Sequence, residues 1–290
     1  MKTRYPVYVI SKGRFQNCLT AKFLVEDNVD FKLVVEPQEK LEYEARFGEQ
    51  RVLVLPFKNL GQGSIPARNW CWEHSIIQGH QRHWILDDNI RMVRMLHKGV
   101  RIKCNSLIAF KIIEDFTDRY ENIGIAGMNY TCFAIRKIPP FVQNVHVYST
   151  LLIDNKLIYR WRGRYNEDTD LCLQVLSGGF CTVLTNQFLI DKMATMKMKG
   201  GNADELYKGD GRLKMARALE RLWPRVVKTG RKFERPQHIV KDRWSKFDTQ
   251  LIRRKDIDWK NLKPNDYGLK LIQVGETIKS EDLKKLLNKS

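Results

Sequence analysis

The segment His83-Trp84-Ile85-Leu86-Asp87-Asp88-Asn89-Ile90 ends an apolar run on two adjacent carboxylates and an amide. Two like charges side by side repel, so each needs a cation or solvent. A divalent ion on oxygen ligands, clamped against a diphosphate, would meet that need. An Asp-Asn turn leading into the next segment is the plainer reading. A second group, Arg160-Trp161-Arg162-Gly163-Arg164-Tyr165-Asn166-Glu167-Asp168-Thr169-Asp170, crowds three acids onto the start of an apolar stretch. Acids there compensate a helix dipole, with Asn166 as N-cap. The other reading is a general base, Glu167 or Asp168, beside three arginines able to hold an anionic substrate. In Gly61–Trp70 a glycine loop runs into a helix start, where backbone N–H groups, the dipole and Arg68 favour a phosphate. Ser11-Lys12-Gly13-Arg14 and Glu36 follow short apolar runs and are either nucleotide contacts or solvated turns. His238 is a candidate metal or phosphate ligand, although a lone His is more often structural.

These residues need a scaffold, and the first third of the chain alternates between two periods. Short β-rich runs at 7–10, 31–35, 51–55 and 83–86 are separated by helix-like stretches at 17–27, 38–47 and 66–78, the last opened by Pro66 and stopped by Gly79. Strand, helix, strand, helix at this spacing predicts a parallel α/β sheet. Such sheets bind ligands outside the carboxyl ends of their strands, which is where the acids, Ser11–Arg14 and Glu36 fall. Further on, the pattern predicts a helix over 105–121 and a strand over 123–128. A hairpin of 145–152 and 156–161 over Asp154-Asn155, a helix over 167–176, a last strand over 180–184 and a helix over 212–222 follow. Residues 281–290 read as a short amphipathic helix.

The 290 residues fit one large domain, or one domain with an appendage. Fifty-one Lys and Arg face 33 Asp and Glu, a net charge of +18, so a polyanionic partner is expected. Residues 192–255 alone hold 19 Lys and Arg against 7 Asp and Glu, with Tyr207, Trp223, Phe233, Trp244 and Phe247 interleaved. The six cysteines form neither a zinc-type spacing nor a disulfide framework, which points to a reducing, cytoplasmic setting. No apolar run is long enough for a signal peptide or a membrane span.

The order of the motifs is more specific than any one of them. A strand ends in a basic-polar loop, an Arg-Asn helix follows, then strand-Asp-Asp, then Glu-Asp-x-Asp opening a helix. Over roughly residues 5–190 this order resembles a GT-A glycosyltransferase. The resemblance implies a GT-A-like, Rossmann-type, mostly parallel sheet flanked by helices, with a basic C-terminal extension. It implies a nucleotide-sugar-binding and catalytic region at 1–190 and an acceptor-binding region at 191–290. It also implies that Ser11, Lys12, Gly13, Arg14, Glu36, Arg68, Asp87 and Asp88 hold the donor. Glu167 and Asp168 then meet the acceptor. Mn²⁺ or Mg²⁺ is implied on Asp88 and Asn89, with His238 as a further candidate. The usual acidic motif is Asp-x-Asp, and Asn89 stands where its last acid would be, so Asp88 takes the ligand role, Asn89 ligates more weakly, or metal dependence is reduced.

WILDDNI, RGRYNEDTDLCLQVL and the basic RPQHIVKDRW make the chain similar to the TET-associated glycosyltransferases of bacteriophages. That family is associated with adding sugars to 5-hydroxymethylpyrimidines in DNA, a modification that shields a phage genome inside the host cytoplasm. The expected reaction moves a sugar from a nucleotide sugar, with UDP favoured, to 5-hydroxymethylcytosine in DNA. Lys and Arg of 192–255 would neutralise backbone phosphates, and Trp223, Phe233 and Trp244 would stack on a base taken out of the duplex. A GT-A enzyme acting on a glycan predicts the same donor site without DNA affinity. A metal-dependent nucleotidyltransferase or nuclease would use Asp87, Asp88 and Glu167 as its metal cluster. A non-catalytic nucleic-acid binder would leave these acids structural.

Overall fold

The computed structural model describes residues 2–134, 138–193, 211–232 and 234–264. Tyr207, Phe233 and the tail at 281–290 lie outside the described residues. Four strands, β1 (Val7–Ile10), β2 (Lys32–Val35), β3 (Val52–Val54) and β4 (Arg82–Asp87), pair in parallel in the order β3-β2-β1-β4. The crossovers between them are α1 (Leu19–Glu26), α2 (Lys40–Phe47) and α3 (Ile65–Ile77). Period-two alternation sends Val7, Val9, Leu33, Val35, Trp84 and Leu86 to one face of the sheet, against α1 and α2. The intervening Tyr8, Val34 and Ile85 point to the other face, against Cys71 and Trp72 of α3. Both faces are covered, so these strands read as near-continuous apolar runs.

Beyond β4 the sheet turns mixed. It continues through β9 (Thr150–Asp154), β7 (Ile123–Tyr130), β10 (Cys181–Lys192), β5 (Ile90–His97) and β6 (Val100–Lys103), with β8 (Phe141–Gln143) against β10. Following the pairings, only β5, β8 and β9 oppose β1, so seven of the ten strands run the same way. α4 (Ser106–Thr117) joins the α1 face, and α5 (Glu167–Ser177) joins the α3 face. The hairpin expected over Asp154-Asn155 does not form. Only Thr150–Asp154 is a strand, and it is inserted antiparallel between β4 and β7. The turn residues are held elsewhere: Asp154 pairs with Arg82, and Asn155 bonds His83 Nδ1 and Ser75 Oγ. The last strand is longer than expected. β10 pairs with β7, breaks register between Thr185 and Leu189, and runs on to Lys192 against β5.

Part of the basic region packs onto this body. α6 (Gly211–Leu222) and a hairpin of β11 (Val227–Lys232) and β12 (Arg235–Val240) share a small core of Leu173, Leu219 and Val227 with α5. The compact unit runs from Met1 to Arg253, and the described part of the second unit starts at Arg254. Asp170 fastens α6 and its neighbours to the sheet. It is fully buried and accepts from Arg162 Nε at 2.9 Å, Gln174 Nε2 at 2.8 Å and Trp223 Nε1 at 2.7 Å. Asp170→Ala leaves these donors unmatched and is expected to cost about 3 kcal/mol, a Tm lower by roughly 8 °C in a unit of this size. A melting curve that matches the parent would show that Asp170 is not an anchor.

Candidate active site

The carboxyl ends of β1, β2 and β4 open onto a cavity of about 620 Å³. The starts of α3 and α5, the end of β10, and α6 and β12 close it. Ser11, Lys12, Arg14, Glu36, Arg68, Asp87, Asp88, Asn89, Glu167, Asp168 and His238, all singled out in the sequence, line this one space. Gly13 does not line it. It turns the chain after β1 at φ 66°, a left-handed conformation that favours glycine, and donates its N–H to Glu39 Oε1 at 2.5 Å.

Ser11 and Arg14 are not a solvated turn. Ser11 Oγ donates to Asp88 Oδ2 at 2.8 Å and sits 2.6 Å from the buried Tyr43 hydroxyl. Arg14 Nη1 reaches Asp88 Oδ1 at 2.5 Å. Burial pushes the Asp88 carboxyl up, and Arg14 and Ser11 oppose that rise. At the rim, Lys12 Nζ holds Glu36 at 2.8 and 2.9 Å and Asn59 Oδ1 at 3.0 Å. Burial alone would raise Glu36, but bonds from Lys12, Gln38 and the Asn59 N–H outweigh it and hold the carboxyl low.

Arg68 is buried in the first turns of α3, its guanidinium 4.4 Å above the Trp161 ring. Nη2 donates to Asp87 Oδ1 at 2.8 Å, and Nη1 stands 3.6 Å from Asp168 Oδ1. It is therefore a cation shared between the acid turn and the start of α5. The other oxygen of Asp87 accepts from Lys192 Nζ at 2.6 Å. Burial would raise Asp87, yet Lys192 and Arg68 together hold it well below the usual carboxylate range. Asp168 goes the other way. Burial, helped by the charges of Glu167 and Asp87, outweighs Arg68 and raises its carboxyl to about 7. Glu167 accepts from Ser64 Oγ at 3.3 Å.

Asn166 stands at the N-cap of α5 in a left-handed conformation, φ 54° and ψ 36°, without a side-chain cap bond. Its Nδ2 donates instead to Met215 O of α6 at 2.9 Å. Of the three nearby arginines only Arg164 lines the cavity. Arg160 pairs with Glu73, and Arg162 pairs with Asp170. Trp223 is likewise occupied by Asp170, and Trp244 packs against His146 and Phe247. The aromatic wall of the cavity is a different set. Phe133 stacks on Tyr130, Tyr148 meets Tyr130 edge-on, and His146 stacks on Tyr148.

Lys192 was not visible as a site residue in the sequence. A strand stopped at residue 184 hides it, and only the pairing of Lys192 with Ile90 sets it beside the acid turn. Tyr130, Tyr148 and Ser149 were missed for the same reason, since they flank strands whose partners are distant in the chain. His238 lines the cavity on β12, and burial lowers the proton affinity of its ring. Among the described residues no group of three or more His, Cys, Asp or Glu side chains is placed to hold a metal ion. No helix among them is long and apolar enough to cross a membrane.

A search of curated protein sequences finds no match. One similar solved structure is a chain from Desulfovibrio desulfuricans G20, provisionally described as a nucleotide-diphospho-sugar transferase. It shares 9% identity at a TM-score of 0.37, over 63% of this chain and 79% of that one. The sequence model of the TET-Associated Glycosyltransferase family matches residues 5–201, more than half of the chain. The chain belongs to the TET-associated glycosyltransferase family and is a glycosyltransferase.

Proposed function

We propose that the enzyme moves a sugar from a nucleotide-sugar donor, a UDP-sugar, to the hydroxyl of a 5-hydroxymethylpyrimidine in DNA, with 5-hydroxymethylcytosine as the preferred base. The observation that carries this reading is one shared cavity. The strand-end residues Ser11, Arg14, Asp87 and Asp88 line it together with Arg212 of α6 and His238 of β12, which belong to the basic region. A donor seated at the strand ends and a polyanion held by the basic elements would therefore meet in the same space.

Asp168 is the general base in this scheme. A base works best when its pKa lies near the working pH, and the Asp168 carboxyl is raised to about 7. It takes the proton of the acceptor hydroxyl as that oxygen attacks the anomeric carbon. The bond from that carbon to the diphosphate breaks, and its electrons leave with the nucleotide. The aromatic wall supplies a stacking face for a base taken out of the duplex, with Phe133 more than half exposed at its edge.

A divalent ion fits these residues poorly. Both oxygens of Asp87 and both of Asp88 already receive a hydrogen bond, from Arg68, Lys192, Arg14 and Ser11. Asn89 Oδ1 is buried without a hydrogen-bond partner, but a lone amide oxygen is a weak ligand for such an ion. No step of the scheme passes through a metal.

The test mixes the enzyme, a panel of nucleotide sugars and duplex DNA carrying cytosine or 5-hydroxymethylcytosine, then weighs the digested nucleosides by mass spectrometry. A hexose or pentose mass on the hydroxymethylated base alone is the expected result. Donor breakdown without any nucleoside shift would move the acceptor to a glycan.

A further inference from the structure

We infer that Lys192 occupies the place of a divalent cation at the leaving-group end of the site, so that sugar transfer runs on the protein's own charges. This rests on the nucleotide-sugar reading above. The strand β10 ends on Lys192, opposite Ile90, and the next residue's N–H bonds Asn89 O at 3.0 Å. The ammonium is therefore fixed by backbone pairing beside Asp87-Asp88-Asn89. Its Nζ contacts Asp87 Oδ2 at 2.6 Å and Ser149 Oγ at 2.7 Å, and Ser149 is itself held 2.6 Å from the Tyr130 hydroxyl. An ammonium has three N–H donors. Among the described residues the third meets the Tyr130 hydroxyl, at 3.4 Å, which a phosphate oxygen would readily replace. The side chain keeps 14% of its surface exposed, and it lines the cavity.

The charges point the same way. Asp87 alone faces two cations, Arg68 and Lys192, while Asp88 faces Arg14. The acid turn is thus already neutralised. A divalent ion there would have to share Asp87 with an ammonium that already sits 2.6 Å from its Oδ2, and two cations on one carboxylate repel. A diphosphate brings the opposite demand. It needs fixed cations that do not have to reorganise as its charge grows, and Lys192 is such a donor. In the reaction the anomeric carbon–oxygen bond breaks with both electrons going to the diphosphate. Lys192 stabilises that oxygen by a hydrogen bond and keeps its proton.

Calorimetric titration of the full chain with a panel of nucleoside diphosphates and with uridine, in EDTA and in Mn²⁺, tests this. The expected result is a diphosphate affinity that is the same in both conditions. Lys192→Met should weaken that diphosphate by about tenfold or more and leave uridine unchanged, because one charged hydrogen bond is removed. Lys192→Arg should restore part of the loss. A general unfolding of the variant would weaken both probes, and the EDTA comparison on the parent protein then decides alone. Binding that disappears in EDTA and returns with Mn²⁺ overturns the proposal but keeps the donor reading. So does a Lys192→Met protein that binds the diphosphate as tightly as the parent. Binding of no nucleoside diphosphate under either condition overturns the donor reading as well.

Discussion

Asp168→Asn is expected to lower the transfer rate by roughly 10³-fold, the ordinary scale for losing a general base. Nucleotide affinity should hold, because Asp168 sits at the start of α5 while the proposed donor contacts lie at the strand ends. The pH profile gives a second readout. A base must be ionised to act, so parent activity should fall as pH drops through about 7, the value to which burial raises Asp168. The residual activity of Asp168→Asn should lose that limb. Folding stability follows with the opposite sense. The folded protein keeps a proton on Asp168 that the unfolded chain, with an ordinary carboxyl, has released. Stability contributed by this group therefore falls as pH rises from the unfolded value towards 7. Above pH 7 the Asn variant should melt no lower than the parent. Glu167→Gln, by contrast, should retain most of the rate. Full activity in Asp168→Asn, or a surviving acid limb, would move the base elsewhere.

The three acids at 167, 168 and 170 show what the sequence can and cannot say. Each sits in the first turn of a helix that its neighbours make legible, and each has the same dipole-compensating claim. Their fates differ through contacts that no local pattern encodes. Asp170 is fully buried and saturated by Arg162, Gln174 and Trp223, so it holds structure. Asp168 faces Arg68 across 3.6 Å, and its Oδ1 is buried without a hydrogen-bond partner, so unlike Asp170 it is not saturated. The acid turn was legible because an apolar strand ends on it, and the alternating β1–β4 unit was legible because both of its faces are apolar. Lys192 was not legible, because a lysine at the end of a strand looks like any solvated terminus. Its meaning comes from a register break in β10 that carries it to β5. The failed hairpin has the same cause. Asp154-Asn155 has turn chemistry, but partners on β4, α3 and their connection take both side chains.

The largest combined effect is expected at Arg68. Arg68→Met removes a cation shared by Asp87 and Asp168, in a buried setting where Trp161 already covers the guanidinium. Breaking a buried pair by removing one partner strands the other, and the cost should be about 3 to 4 kcal/mol. Asp87 retains Lys192, so it stays ionised. Asp168 retains no comparable partner. Arg68 is the main influence that lowers its carboxyl, and without it burial and the Glu167 and Asp87 charges are opposed by the weaker influence of Lys192. Its titration should move upward from near neutrality. Two consequences follow from that sign. At pH 7 most of the base is protonated and the rate falls, but raising the pH recovers part of it, as no simple loss of folded protein would. In the same pH interval the stability deficit deepens, because the unfolded chain has shed a proton that the folded one still holds. Rate profiles and melting curves taken together from pH 6 to pH 9 read both effects. Arg68→Lys keeps the charge but not the planar fork, and should restore the pH limb more fully than the stability. A variant whose rate and Tm fall by the same factor at every pH would show that Arg68 only holds the fold, and that the proton affinity of Asp168 is set elsewhere.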